Sequence, residues 1–201
     1  MLQALEFVAV ISGALFGVLL ARSKGMDVIG VFAVAFVVAF GGGTLRDVLL
    51  DRAPLFWIQN EHYVWTVFGI AFVGAFVPRF PRRFERWLEV PDAIGLALFG
   101  IVGAGVASRY EMTWFLAVLF GVVTATFGGV IADIICNDLP RLFRPTTQLY
   151  ASCAFVGAAL YLLLRGTVLG EAWAQGLGVI AVLTLRFVAL RFDLRLPASP
   201  A

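Results

Sequence analysis

"GGTLRDVLLDRAP" (Gly42–Pro54) and "GGVIADIICNDLP" (Gly128–Pro140) stand 86 residues apart and align without a gap. Gly42, Gly43, Asp47 and Pro54 fall on Gly128, Gly129, Asp133 and Pro140, and Asp51 falls on Asn137. Upstream, the same offset sets Glu6 on Asp92 and Gly17 on Gly103. Apolar stretches match one another readily. A Gly-Gly, an Asp and a Pro in one fixed register are a firmer sign of an internal repeat.

The chain around these stretches reads as a membrane protein. Of its 201 residues 61% are hydrophobic and 14% charged, against about 25% charged in an ordinary soluble domain; mean hydropathy is +0.95. The hydrocarbon core is about 30 Å thick, so apolar stretches of about 17–25 residues are candidate spans. Seven are present, at 4–21, 27–50, 62–78, 91–108, 113–137, 147–164 and 173–191. Pro54, Pro78, Pro81, Pro91, Pro140 and Pro145 fall at or near their ends, where a helix breaker belongs. The first stretch has Glu6 and no basic leader, so it reads as a span and not as a signal peptide.

The expected fold is therefore all-α, a single transmembrane domain over 1–201. Repeat one covers 4–88, repeat two 90–165, and a seventh helix at 173–191 lies outside both. Each repeat holds three spans, an odd number, so the second enters the membrane upside down. Inverted repeats place functional sites near the midplane where the repeats meet. Counting basic residues orients the chain. One side holds Arg22, Lys24, Arg79, Arg82, Arg83, Arg86, Arg141, Arg144, Arg186, Arg191 and Arg195; the other holds Arg52, Arg109 and Arg165. The amino terminus is expected outside and the carboxyl terminus in the cytoplasm. The arginines of 79–86, interleaved with Phe80, Phe84 and Trp87, read either as an anionic-lipid site or as an ordinary positive-inside loop with aromatic anchors.

Glycine costs about 1 kcal/mol relative to Ala inside a helix. Two gains offset this: close approach of another helix, or a kink that frees backbone carbonyls towards a water-filled path. For Gly41, Gly42, Gly43, Gly128 and Gly129 the expectation is the second, because carboxylates follow them. Asp47 and Asp133 each lie four residues beyond a glycine, on the same helix face, and Asp51 and Asn137 continue those faces. Ionisable groups in a membrane face a bundle interior or water. The two aspartates sit towards opposite faces, roughly 25 Å apart at about 1.5 Å per residue. This makes an Arg46–Asp133 pair unworkable and suggests an acidic mouth on each face. Adjacent Asp47 is expected to point away from Arg46, leaving Glu61 or Asp51 as its partner.

This arrangement resembles the trimeric intracellular cation channel family in its prokaryotic branch, over about residues 4–190. The likeness rests on "GGGTLRD" (41–47), "GGVIADI" (128–134), the seven spans and the three-plus-three inverted repeat. It implies a homotrimer in a prokaryotic plasma (inner) membrane, each subunit carrying its own pore for K⁺ and Na⁺ shaped by the second and fifth helices. The basic lipid-binding motif of animal members is not evident; Arg109 has no lysine counterpart nearby. Pore-lining groups would be Ser12, Gly41, Gly42, Gly43, Thr44, Arg46, Asp47, Thr126, Gly128, Gly129, Asp133 and Asn137, with Thr124 a further hydroxyl.

A second reading is a transporter for glycine or another small solute, using the same interrupted helices to bind substrate. The uncharged central third of both helices favours the channel. No potassium-filter sequence of the TVGYG kind is present, so weak K⁺/Na⁺ discrimination is expected. Two cysteines, Cys136 and Cys153, make no disulfide framework, and a lone His62 makes no transition-metal site. No nucleophile–base set is apparent and no cofactor is expected, so the protein reads as a non-enzyme. Net charge of +2 gives no sign of nucleic-acid binding.

Overall fold

Long apolar runs bounded by Gly, Pro and charge fold into helices because a membrane leaves backbone polar groups no other partner. The structure, a computed structural model, describes residues 1–76, 88–145 and 147–197. Its helices are α1 (Leu2–Ser23), α2 (Val28–Leu49), the single turn α3 (Phe56–Gln59), α4 (Glu61–Phe76), α5 (Glu89–Arg109), α6 (Trp114–Ile135), α7 (Ala151–Leu164) and α8 (Gly170–Phe192). A 3₁₀ turn at Arg141–Phe143 follows α6. The long helices match the expected spans closely. Five of them, α1, α2, α5, α6 and α8, are long and apolar enough to cross a membrane.

α7 is shorter than expected, because residues 147–150 are not helical. They pair with the tail beyond α8: the Leu149 amide donates to Leu194 O and Gln148 bridges Arg195. The arginine-rich stretch 79–86 lies outside the described residues.

α5 is buried on nearly every side and packs on α1, α6, α7 and α8; α2 packs on α1, α4 and α6. Outward faces are apolar: Trp65, Phe68, Phe72 and Phe76 on α4, Trp173 and Ile180 on α8. Water would tolerate few such patches; lipid requires them.

Polar contacts tie the helices together at both described ends of the bundle. Lys24 bonds Asp138 at 2.6 Å and Gln148 bonds Asp193 at one end. Tyr63 bonds Gln3 O and Arg109 meets Glu171 at the other.

The glycines do not interrupt their helices. α2 and α6 run as continuous α-helix through Gly41–Gly43 and Gly128–Gly129. Their role is close approach. A Cβ on Gly42 would strike the carbonyl oxygen of Thr124, and one on Gly128 would lie 2.6 Å from that of Val38. Val38 and Thr124 are themselves 86 residues apart, so the two helices cross backbone to backbone through matched positions. Flanking contacts recur at the same offset. A Cβ on Gly17 would meet Val34 O at 2.9 Å, and one on Gly103 would meet Phe120 O at 2.8 Å.

Both helices also end alike. Asp51 and Asn137 take left-handed backbone at φ 51° and 56°, the conformation that closes a Schellman cap and that Asp and Asn tolerate. Arg52 N bonds Asp47 O and Asp138 N bonds Asp133 O, at 2.8 and 2.9 Å. Asp51 and Asn137 thus lie past the helix ends and do not continue the faces of Asp47 and Asp133.

Gly42→Ala and Gly128→Ala should each lower thermal stability in detergent, by an amount in the overpacking range of about 1–3 kcal/mol. Gly95→Ala, where an added Cβ meets nothing within 4 Å, should be neutral or stabilising. Equal melting temperatures for all three would mean the crossing is looser than described.

Candidate functional site

Two buried polar clusters flank the α2–α6 crossing. The first is built on Glu6 of α1 and on Arg46 and Asp47 of α2. Arg46 and Asp47 are completely buried and Glu6 is 5% exposed. Arg46 Nε and Nη2 both lie 2.7 Å from Asp47 Oδ1, while Nη1 and Nη2 donate to Glu6 Oε1 at 3.3 Å. The partner of Arg46 is therefore Glu6 together with Asp47, not Glu61 or Asp51. Neighbouring residues point about 100° apart on a helix, but the arginine stem is long enough to fold back. Arg52 reaches Asp47 Oδ1 at 3.4 Å, and the Phe56 amide donates to Asp47 Oδ2 at 2.8 Å. The Arg46 guanidinium stands 5.2 Å above the Phe56 ring.

The second cluster is built on Asp92 of α5 and Asp133 of α6, the 86-residue counterparts of Glu6 and Asp47. Arg141 donates to Asp133 Oδ2 from its amide at 2.8 Å and from Nε at 3.3 Å, and its Nη1 lies 3.8 Å from Asp92 Oδ1. It also covers the Phe16 ring at 4.5 Å. Tyr150 donates to Asp92 Oδ1 at 2.9 Å. Arg186 of α8 stacks on the Tyr150 ring at 4.9 Å and donates from Nη1 to the carbonyls of Gln148 and Leu149. Its Nη2 stands 3.8 Å from Asp92 Oδ2.

Each cluster pairs two carboxylates with two arginines. Such balance is what burial demands, because a lone ion deprived of water costs several kcal/mol. Asp47 and Asp133 are thus enclosed and ion-paired, and each holds the backbone amide that starts the next turn of chain. They are not exposed mouth charges. Arg46 and Asp133 belong to different clusters, as the depth argument requires.

Other expected site residues are dispersed. Ser12 donates to Pro91 O at 2.7 Å and ties α1 to α5. Thr44 accepts from Trp57 Nε1 at 3.0 Å. Thr124 and Thr126 donate to carbonyls one turn back in their own helix. Gly41 faces Gly128, and Gly43 lies against the Phe56 ring. Gly129 looks towards Arg141 and Tyr150, each 3.8 Å from an added Cβ.

A cavity of about 20 Å³ adjoins the second cluster, lined by Gly13, Phe16, Val38, Asp92, Gly95, Thr124, Gly128, Gly129 and Tyr150 among others. It has room for about one water molecule. At the same end of the bundle, the hydrogen bond from Lys24 holds the half-buried Asp138 carboxyl below the usual carboxylate range.

Asp92, Arg141, Tyr150 and Arg186 were not among the expected site residues. The offset that sets Asp92 on Glu6 carried the signal for the first of them. The other three occupy no recurring polar position.

This architecture has known relatives. A family described as Glycine transporter matches residues 3–79 and again 89–166. A UPF0126 membrane protein of Vibrio cholerae is 35% identical over 185 residues, covering 92% of this chain and 77% of that one. The UPF0126 inner membrane protein YadS of Escherichia coli K12 is 34% identical over 195 residues, covering 96% and 93%. Among solved structures, the TRIC trimeric intracellular cation channel orthologue from Rhodobacter sphaeroides superposes with a TM-score of 0.85 at 33% identity, covering 96% of this chain and 98% of that one. A second TRIC cation channel, solved to explain conductance, gives 0.85 at 30% identity, covering 99% and 97%. The chain belongs to the prokaryotic branch of the trimeric intracellular cation (TRIC) channel family.

Arg46→Met should strand Glu6 and Asp47 without their shared counter-charge, at a cost of about 3–5 kcal/mol. Adding Glu6→Gln should recover part of that loss, read as melting temperature and yield of the assembled protein. No recovery in the double variant would show that Glu6 is not the partner that matters.

Proposed function

We propose that this protein is a homotrimeric channel for monovalent cations, with a conduction path inside each subunit between the two polar clusters. The observation that carries the reading is the matched crossing at Gly42 and Gly128, with a charge-balanced cluster on either side of it. Intramembrane charge of this kind marks ion pathways. The TRIC channels to which the chain is similar support it. The backbone contact at the crossing makes this the closed conformation; conduction requires α2 and α6 to part there, and Gly41–Gly43, Gly128 and Gly129 keep that zone free of side chains. Ser12, Thr44 and Thr126 then offer hydroxyls along the parted faces, and Arg46, Asp47, Asp133 and Asn137 lie towards the two ends.

The proposal includes seven spans, arranged as three plus three in inverted orientation with α8 outside. The double family match and the paired contacts at the 86-residue offset support that arrangement. It also places the amino terminus outside, and takes Arg79, Arg82, Arg83 and Arg86 as an anionic-lipid contact on the cytoplasmic face. Selectivity between K⁺ and Na⁺ is weak, since no ring of filter carbonyls is present among the described residues. The similarity to TRIC cation channels favours the channel over glycine carriage.

Purified protein, shown to be trimeric by light scattering, should give unitary currents in a planar bilayer of similar size in KCl and NaCl. Electrical silence accompanied by saturable glycine uptake into vesicles would replace the channel by a carrier.

Topology is tested separately. Reporter fusions after Arg83 and after Asp193 should both read cytoplasmic. An external signal from either would break the seven-span arrangement.

A further inference from the structure

Asp92 differs from the other buried carboxylates of the two clusters. Its Oδ1 accepts the Tyr150 hydroxyl, but its Oδ2 has no hydrogen-bond donor among the described residues, although the residue is only 6% exposed. The nearest cation, Arg186 Nη2, stops at 3.8 Å, too far for a hydrogen bond. Arg186 Nε is likewise buried without an acceptor. A donor and an acceptor buried without hydrogen bonds are each costly. Asp47, by contrast, has both oxygens bonded.

The space around Asp92 is also unusual. Asp92 lines the 20 Å³ cavity, together with Thr124, Gly128 and Val38 of the crossing. Gly95, one turn on, borders open space. Asp92 and Tyr150 both line the cavity, with the Tyr150 hydroxyl 2.9 Å from Asp92 Oδ1. A carboxylate oxygen without a donor, beside a neutral hydroxyl and room for one small particle, suits a weakly hydrated alkali cation.

We propose that Asp92 is a resting site for a permeant monovalent cation, and that Arg186 is a tethered cation which occupies its counter-charge position in the closed channel. Arg186 reaches the site from α8 and is held by the Gln148 and Leu149 carbonyls and the Tyr150 ring. Because its contact with Asp92 is Coulombic and not hydrogen-bonded, an entering ion can displace it. A site in a conduction path must bind firmly enough to fill and loosely enough to empty. Arg141 stays on Asp133 and keeps the cluster from carrying two unpaired carboxylates. The opposite cluster has no such device: Arg46 holds Glu6 with two donors.

This inference rests on the channel reading above. Single-channel recording on Arg186→Gln should show open probability raised about tenfold, the factor that 1.4 kcal/mol of lost pairing gives, while Arg186→Lys keeps the tethered charge and stays near wild type. Asp92→Asn should also raise open probability, because Arg186 loses its counter-charge, and should lower unitary conductance at low salt, because the resting site is gone. Opposite movement of those two quantities is not what a merely structural residue produces. Crystals grown in rubidium chloride supply a readout free of current. Rubidium should appear beside Asp92 in Arg186→Gln and be absent from the Asp92→Asn, Arg186→Gln double variant. If wild type conducts and an assembled Asp92→Asn has unchanged open probability, the inference falls and the channel reading stands. Rubidium missing from Arg186→Gln overturns it as well. Should Arg186→Gln fail to assemble, Asp92→Asn decides alone. Silence in every protein sinks the channel reading first and this inference with it.

Discussion

The contact on which the rest depends is that of two backbones, α2 on α6, at Gly42 and Gly128. Lipid provides no hydrophobic force between helices, so association there relies on packing and on interhelical polar contacts. Small residues at a crossing let two main chains meet over their whole width. Once α2 and α6 are locked at Gly42–Thr124 and Gly128–Val38, α1 and α5 are drawn in by the same means. Gly17 admits the backbone of α2, and Gly103 admits that of α6. A glycine-spaced core of four helices results, and α4, α7 and α8 are layered around it with their apolar faces outward.

That crossing also decides where charge can go. Asp47 and Asp133 sit at the far ends of α2 and α6, so a crossing near the helix middles puts them on opposite flanks. Each then meets a carboxylate from the first helix of its own half, Glu6 or Asp92. Two acids side by side in a low dielectric need cations, and both flanks have them. The means differ. Arg46 is part of α2 itself, but the residue 86 positions later is Ala132. The second flank therefore imports its cations from outside the helix, Arg141 from the turn after α6 and Arg186 from α8.

The sequence made the elements and their correspondence legible, because both are carried by local pattern. Apolar length marks a span, and an ungapped Gly-Gly, Asp and Pro mark two equivalent helix ends. It misread what the glycines do. A glycine in a helix has the same letter whether it admits a neighbour or permits a kink, and only the carbonyls of Thr124 and Val38 decide between them. It likewise placed Asp47 away from Arg46, since helix-face arithmetic follows Cβ directions and ignores the reach of a long side chain. Arg186 and Tyr150 were invisible for a further reason. Their partners lie 94 and 58 residues away, and nothing local in α8 or at the start of α7 announces them.

The unequal sourcing of arginine has a mechanical consequence. A cation on the same helix as its carboxylate travels with it, so the Arg46–Asp47 pair is carried through any movement of α2 as one unit. A cation on a separate helix does not. Arg186 is fixed to the carbonyls before α7 and to α8, whereas Asp92 is fixed to α5, so any displacement of α5 against α7 and α8 changes their separation directly. If α2 and α6 part at the crossing as proposed, Arg46 and Asp47 move together on α2, while Glu6 on α1 and Arg186 on α8 are each carried by another helix. Two stretches that share glycines, caps and carboxylates at one offset thus differ in where their cations come from, and α8 supplies one of those cations.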